Sequence, residues 1–71
     1  MVSFLLSNHA KSRMLQRGIA INEIRDCVEF PDYKITKNNK IEMFKKLNNK
    51  VLRLICVQEN KFIKVITLMW K

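Results

Sequence analysis

The amino-acid sequence predicts an α+β fold: two N-terminal helices packed on a four-stranded antiparallel meander sheet, with material for a short extra strand ahead of the first helix. Two changes of texture and the chain length carry that expectation. Up to Phe30, apolar residues recur at helical spacing, interrupted by Gly18. After Pro31-Asp32, from Tyr33 to Trp70, strand-forming residues run between short polar turns. At 71 residues the chain has room for one domain, 1–71, with a single modest core and no second lobe. It contains no internal repeat, linker or low-complexity segment.

Val2 to Leu6 forms the optional first strand. Ser7 or Asn8 then caps a helix from His9 to Arg17, because a short polar side chain can accept one of the unpaired first-turn N–H groups. Gly18 closes it from the usual left-handed position. On this helix Ala10 and Met14 face the core, while His9, Ser12, Arg13, Gln16 and Arg17 share a polar stripe. Ile21, Ile24, Cys27 and Val28 define a second helix, which ends by Phe30 because a proline disfavours helical backbone in the residue before it.

In the C-terminal half, Asn38-Asn39, Asn48-Asn49 and Glu59-Asn60 separate four strands. With two-residue turns throughout, strict alternation assigns the two faces of the sheet. One face takes Ile41, Met43, Leu47, Leu52, Leu54, Cys56, Ile63, Val65 and Met69, with Lys45 and Thr67 among them, and the helices cover it. The other takes Tyr33, Ile35, Glu42, Phe44, Lys46, Val51, Arg53, Ile55, Val57, Phe62, Lys64, Ile66, Leu68 and Trp70. This register sets Thr67 and Arg53 on opposite faces.

The charge narrows the choice of partner. Fourteen Lys and Arg against 6 Asp and Glu give a net charge of +8, a self-repelling surface that suits a polyanion, RNA more than DNA. A solvated lysine surface is the ordinary alternative. The single histidine and the lack of Cys-x-x-Cys spacing leave too few ligands for a metal centre, so neither metal nor cofactor is expected. Cys27 and Cys56 read as reduced core thiols, which suits the cytoplasm. No apolar run approaches the roughly 20 residues that cross a bilayer, so no membrane partner is expected.

Chemistry is expected at two places. The second sheet face mixes cations and rings, notably Phe44, Lys46, Arg53, Lys64 and Trp70, a combination that holds the phosphates and stacks the bases of single-stranded RNA. The same residues also fit an apolar patch covered by the N-terminal segment, a second copy or a protein partner. The helical stripe carries His9, the chain's one imidazole and the residue type most used for acid-base work, with Arg13 and Arg17 one and two turns further on. Such a group suits metal-independent RNA cleavage, in which a base activates the 2′-hydroxyl and cations neutralise the phosphorane. A first-turn histidine bonded to backbone beside solvated arginines is the plain alternative. Neither a nucleophilic triad, a glycosidase carboxylate pair nor a glycine-rich phosphate loop is present.

The run His9-Ala10, Arg13-Met14, Arg17-Gly18-Ile19, then Glu23-Ile24, Pro31-Asp32 and Val65-Ile66-Thr67, resembles the domain-of-unknown-function family 4258 over nearly the whole chain. That family is similar to RelE-like and BrnT-like small ribonucleases, many of them toxins of prokaryotic toxin-antitoxin pairs. The resemblance implies helices on an antiparallel sheet, a metal-independent RNA cut, and an acidic antitoxin protein as partner. It places the His/Arg stripe on His9, Arg13 and Arg17 and a closing Thr on Thr67. The expected function is therefore a toxin-type endoribonuclease, with His9 as base or acid, Arg13, Arg17 and Arg53 as phosphate and transition-state cations, and Lys46 and Trp70 on the RNA. The alternative is a non-catalytic module binding RNA or protein.

Overall fold

In the computed structural model, which describes residues 3–71, Ser7 starts the first helix, α1 (Asn8–Arg17). Its backbone is extended, and its Oγ accepts the Ala10 N–H at 3.0 Å. Gly18 ends α1 with φ 63, and the following Ile19 N–H returns to the Met14 carbonyl at 3.0 Å. The second helix, α2 (Ile21–Glu29), starts at Ala20, whose methyl cannot cap. Glu23 supplies part of what is missing: its Oε1 accepts the Ala20 N–H at 2.8 Å, and its charge favours a helix N-terminus. Helix α2 ends at Phe30, just before Pro31.

The strands are β1 (Phe4–Leu6), β2 (Tyr33–Lys37), β3 (Lys40–Leu47), β4 (Lys50–Gln58) and β5 (Ile63–Trp70), in the order β1-β5-β4-β3-β2. The α+β class holds, but the sheet has five strands and is mixed. The short N-terminal strand joins it at the edge and runs parallel to β5, with Phe4 beside Ile63 and Leu6 beside Val65. Val2, expected in this strand, lies outside the described residues. The asparagine turns have two residues each, since Lys37 pairs with Lys40 and Leu47 with Lys50. Asn38 (φ 56) and Asn48 (φ 59) occupy the left-handed region, which asparagine tolerates better than most residues.

Beyond β4 the expected register fails in two steps. Gln58 pairs with Ile63, so the connection is a four-residue loop from Glu59 to Phe62, in place of a turn at Glu59-Asn60. Within it the Glu59 N–H bonds the Phe62 carbonyl at 2.9 Å. Those two extra residues preserve the alternation, and Ile63 and Val65 stay on the helix side as expected. A bulge follows: Cys56 pairs with Val65 but Ile55 pairs with Thr67, so Ile66 has no opposite number. The odd residue reverses every later side chain. Thr67 and Met69 therefore move to the face of Ile55 and Arg53, while Leu68 and Trp70 move to the helix side.

Both helices lie on one side of the sheet, where Ala10, Ile24, Cys27 and Val28 meet Met43, Leu52, Leu54, Cys56, Val65 and Leu68 in one buried cluster. Burial pushes both thiols from the ordinary 9.0 up to about 12, so they are protonated in the folded protein. Lys45, on the helix side near its edge, extends its ammonium to the Phe30 carbonyl at 2.8 Å. Among the described residues no element covers the opposite face of the sheet. The N-terminal segment, one of the covers considered above, is used as the edge strand β1.

Candidate nucleic-acid interface

The uncovered face is ordered by cross-strand pairing. Its central row runs Tyr33, Phe44, Arg53, Met69, and the next row runs Ile35, Glu42, Ile55, Thr67. Lys40, Val57 and Lys64 line up towards one end. Lys46 and Val51 pair at the other, where the Lys71 N–H bonds the Val51 carbonyl at 2.7 Å. Alternation thus collects Lys40, Lys46, Arg53 and Lys64 on a face whose strands contribute Glu42 as their acidic residue.

Arg53 is held from three sides. Its Nη2 donates to Glu42 Oε1 at 3.0 Å, its Nη1 lies 3.8 Å from Met69 Sδ, and its guanidinium carbon stands 5.8 Å from the Phe44 ring centroid. The ion pair with Glu42 is half-buried, so solvent screens it less than a pair on the rim. The Arg53 Nε–H is buried without an acceptor. Lys71 also approaches Phe44, with Nζ 5.1 Å from the centroid, and Tyr33 lies at 5.8 Å with a 44° tilt. Tyr33 remains 62% exposed, an apolar plate at the edge of the face.

Beside this row is a pocket of about 480 Å³, lined by Asp32, Tyr33, Phe44, Lys45, Lys46, Val51 and Lys71. That volume falls within the range of small-molecule sites. Asp32 is fixed in its wall: Oδ2 accepts the Lys46 backbone N–H at 2.8 Å, and Oδ1 stands 3.9 Å from Lys45 Nζ.

The His/Arg stripe lies on α1, across the sheet. Arg13 Nε donates to His9 Nε2 at 3.4 Å and Arg13 Nη1 to Gln16 Oε1 at 3.4 Å, the contacts expected of residues one turn apart. His9 and Arg17 are exposed. Trp70, expected on the RNA-facing side of the sheet, stands instead beside the end of α1: its indole N–H reaches the Arg17 carbonyl at 3.5 Å and Lys50 Nζ lies 5.2 Å from its ring. The bulge at Ile66 is the reason.

The expected residues thus fall into two groups. His9, Arg13, Arg17 and Trp70 belong to the helical side, whereas Phe44, Lys46, Arg53, Lys64 and Thr67 belong to the uncovered face. Arg53 and Thr67 share that face, against the register expected from the sequence, and the sheet separates both from His9. Sequence reasoning gave neither Asp32 nor Lys71 a role in a site. Asp32 had only its place after Pro31 as a signal, and Lys71 is aligned with Val51 only through the bulge.

Fold and surface together define a two-layer α+β protein with one helix-covered sheet face and one uncovered basic face. The chain belongs to the domain of unknown function family DUF4258, whose family model matches residues 6–70. No curated protein and no solved structure matches the sequence.

Proposed function

We propose that this protein binds single-stranded RNA on the uncovered face of its sheet. The supporting observation is the Tyr33-Phe44-Arg53 row, in which an exposed ring and a cation-bearing ring adjoin Lys46 and Lys71. Unstacked bases rest on rings of any sequence context, and phosphates take the surrounding ammonium and guanidinium groups. Displacement of counterions makes such binding strongly dependent on salt. The assay is fluorescence anisotropy of a labelled, cleavage-resistant 2′-O-methyl oligonucleotide across a salt series. Affinity is expected to fall with salt and to weaken in Arg53→Ala and Lys46→Ala. Unchanged affinity in both variants would overturn the reading.

The contact between Arg13 and His9 supports a second reading, a metal-independent endoribonuclease of toxin type. Arg13 Nε stands 3.4 Å from His9 Nε2, so a fixed cation lies beside the imidazole where a phosphate would be held. In this reading His9 removes the 2′-hydroxyl proton, the 2′-oxygen bonds to phosphorus, and the phosphorus bond to the 5′-oxygen breaks. A 2′,3′-cyclic phosphate results, and the departing 5′-oxygen takes a proton from solvent. Arg13 and Arg17 would offset the phosphorane charge, with Arg53 and Thr67 confined to holding RNA on the other face. The resemblance to RelE-like and BrnT-like ribonucleases supports this reading, and with it an acidic antitoxin as partner. Mixed RNA incubated with the protein should yield cyclic-phosphate ends that vanish in His9→Ala. RNA left intact at every pH excludes it.

A further inference from the structure

Resting on the RNA-binding reading, we infer that the pocket beside Tyr33 is a subsite for one base of the strand and that Asp32 makes it select guanine. The rings of Tyr33 and Phe44 supply a wall for stacking, which by itself favours no base. Asp32 is the acidic group in that lining and a pure acceptor when ionised. Its side chain is 56% exposed. Oδ2 is oriented by the Lys46 N–H at 2.8 Å, and Oδ1, at 3.9 Å from Lys45 Nζ, is beyond hydrogen-bond distance and accepts no bond among the described residues.

A carboxylate held this way discriminates through the pattern of donors it meets. The Watson–Crick edge of guanine offers two adjacent donors, the ring N1–H and the exocyclic amine, which match two carboxylate oxygens. Adenine and cytosine set their amine beside a ring nitrogen that is itself an acceptor, and uracil flanks its one N–H with two carbonyls. Each of those three sets an acceptor against the carboxylate, which repels it. Lys45 and Lys46 at the rim reduce the repulsion between Asp32 and the phosphates of the strand.

The experiment uses the full chain and nine-residue 2′-O-methyl oligonucleotides, eight uridines around a central base that is uracil, guanine, adenine or cytosine, followed by fluorescence anisotropy. The guanine oligonucleotide is expected to bind roughly five- to a hundredfold more tightly than the other three, the discrimination typical of a two-point contact. In Asp32→Asn, which keeps an acceptor for the Lys46 N–H but places a donor beside it, that ratio should fall to about one. Arg25→Ala, on the exposed side of α2, should keep it. Equal binding of all four, a preference for another base, or a guanine preference that survives Asp32→Asn overturns the inference and leaves RNA binding standing. Failure to bind any of the four overturns both.

Discussion

Arg53 crosses from β4 to stand over Phe44 of β3, its guanidinium carbon 5.8 Å from the ring centroid, while one of its amino groups bonds Glu42 on the same strand as Phe44. Truncation at Arg53 therefore removes a cation from the ring and leaves a half-buried carboxylate without its partner. Arg53→Ala is expected to lower stability by about 1–3 kcal/mol. Urea denaturation of the two single variants and of Arg53→Ala/Glu42→Ala closes a double-mutant cycle, and the double variant should lose less than the sum of the singles.

Ser7 holds two elements at once. Its Oγ accepts the Ala10 N–H at 3.0 Å and donates to the Ile66 carbonyl at 2.8 Å, so one hydroxyl caps α1 and satisfies the backbone at the bulge of β5. Ser7→Ala should cost about 1–2 kcal/mol, at the upper end for a helix cap. Ser7→Thr keeps the hydroxyl and is expected to restore most of the loss in thermal melts.

At Gly18 the cost of a side chain is purely conformational. An added Cβ would meet no heavy atom within 4 Å, yet φ is +63, where non-glycine residues are strained. Gly18→Ala should therefore lose about 1–2 kcal/mol without any repacking of the core. Asn, which enters this region more easily, should lose less. Chemical denaturation of the two variants gives the comparison.

Cys27 and Cys56 make the folded state sensitive to alkali. Their pKa values rise from 9.0 to about 12 through burial, so between those values the unfolded chain has released thiol protons that the folded chain retains. Stability is then lost as pH rises from about 9 towards 12, and is untouched by these groups below that window. The urea midpoint of the native protein should fall more steeply over that range than that of a Cys27→Ala/Cys56→Ala variant, measured from its own lower starting point. Equal slopes would show that the two thiols contribute nothing to the effect.

Local chemistry was legible in the sequence wherever one residue decides an outcome. Ser7, Gly18 and Pro31 mark the helix ends, and Asn38-Asn39 and Asn48-Asn49 mark tight turns, because capping, left-handed backbone and the proline ring act over a few atoms. The faces of β2, β3 and β4 followed, and with them the grouping of Phe44, Lys46 and Arg53. What escaped was the bulge at Ile66, which has no glycine or proline to announce it. One unpaired residue reversed Thr67 to Trp70, moving Thr67 to the side of Arg53 and taking Trp70 from it. Separation of His9 from Arg53 is likewise a property of the packing of layers, which neither helical nor strand periodicity encodes alone.

The pairing of β1 with β5 also sets the order in which this chain can finish folding. Ser7 and Ile66, joined at that seam, are 59 positions apart, so the contact closes a long loop. The hairpins of β2 to β4 close over two residues and can form as soon as those strands are available. On a ribosome, α1 and β1 leave the exit tunnel before β5, the strand against which both chiefly pack. The His/Arg stripe of α1 thus gains its main packing partner only with β5, although α1 precedes the whole meander in the chain.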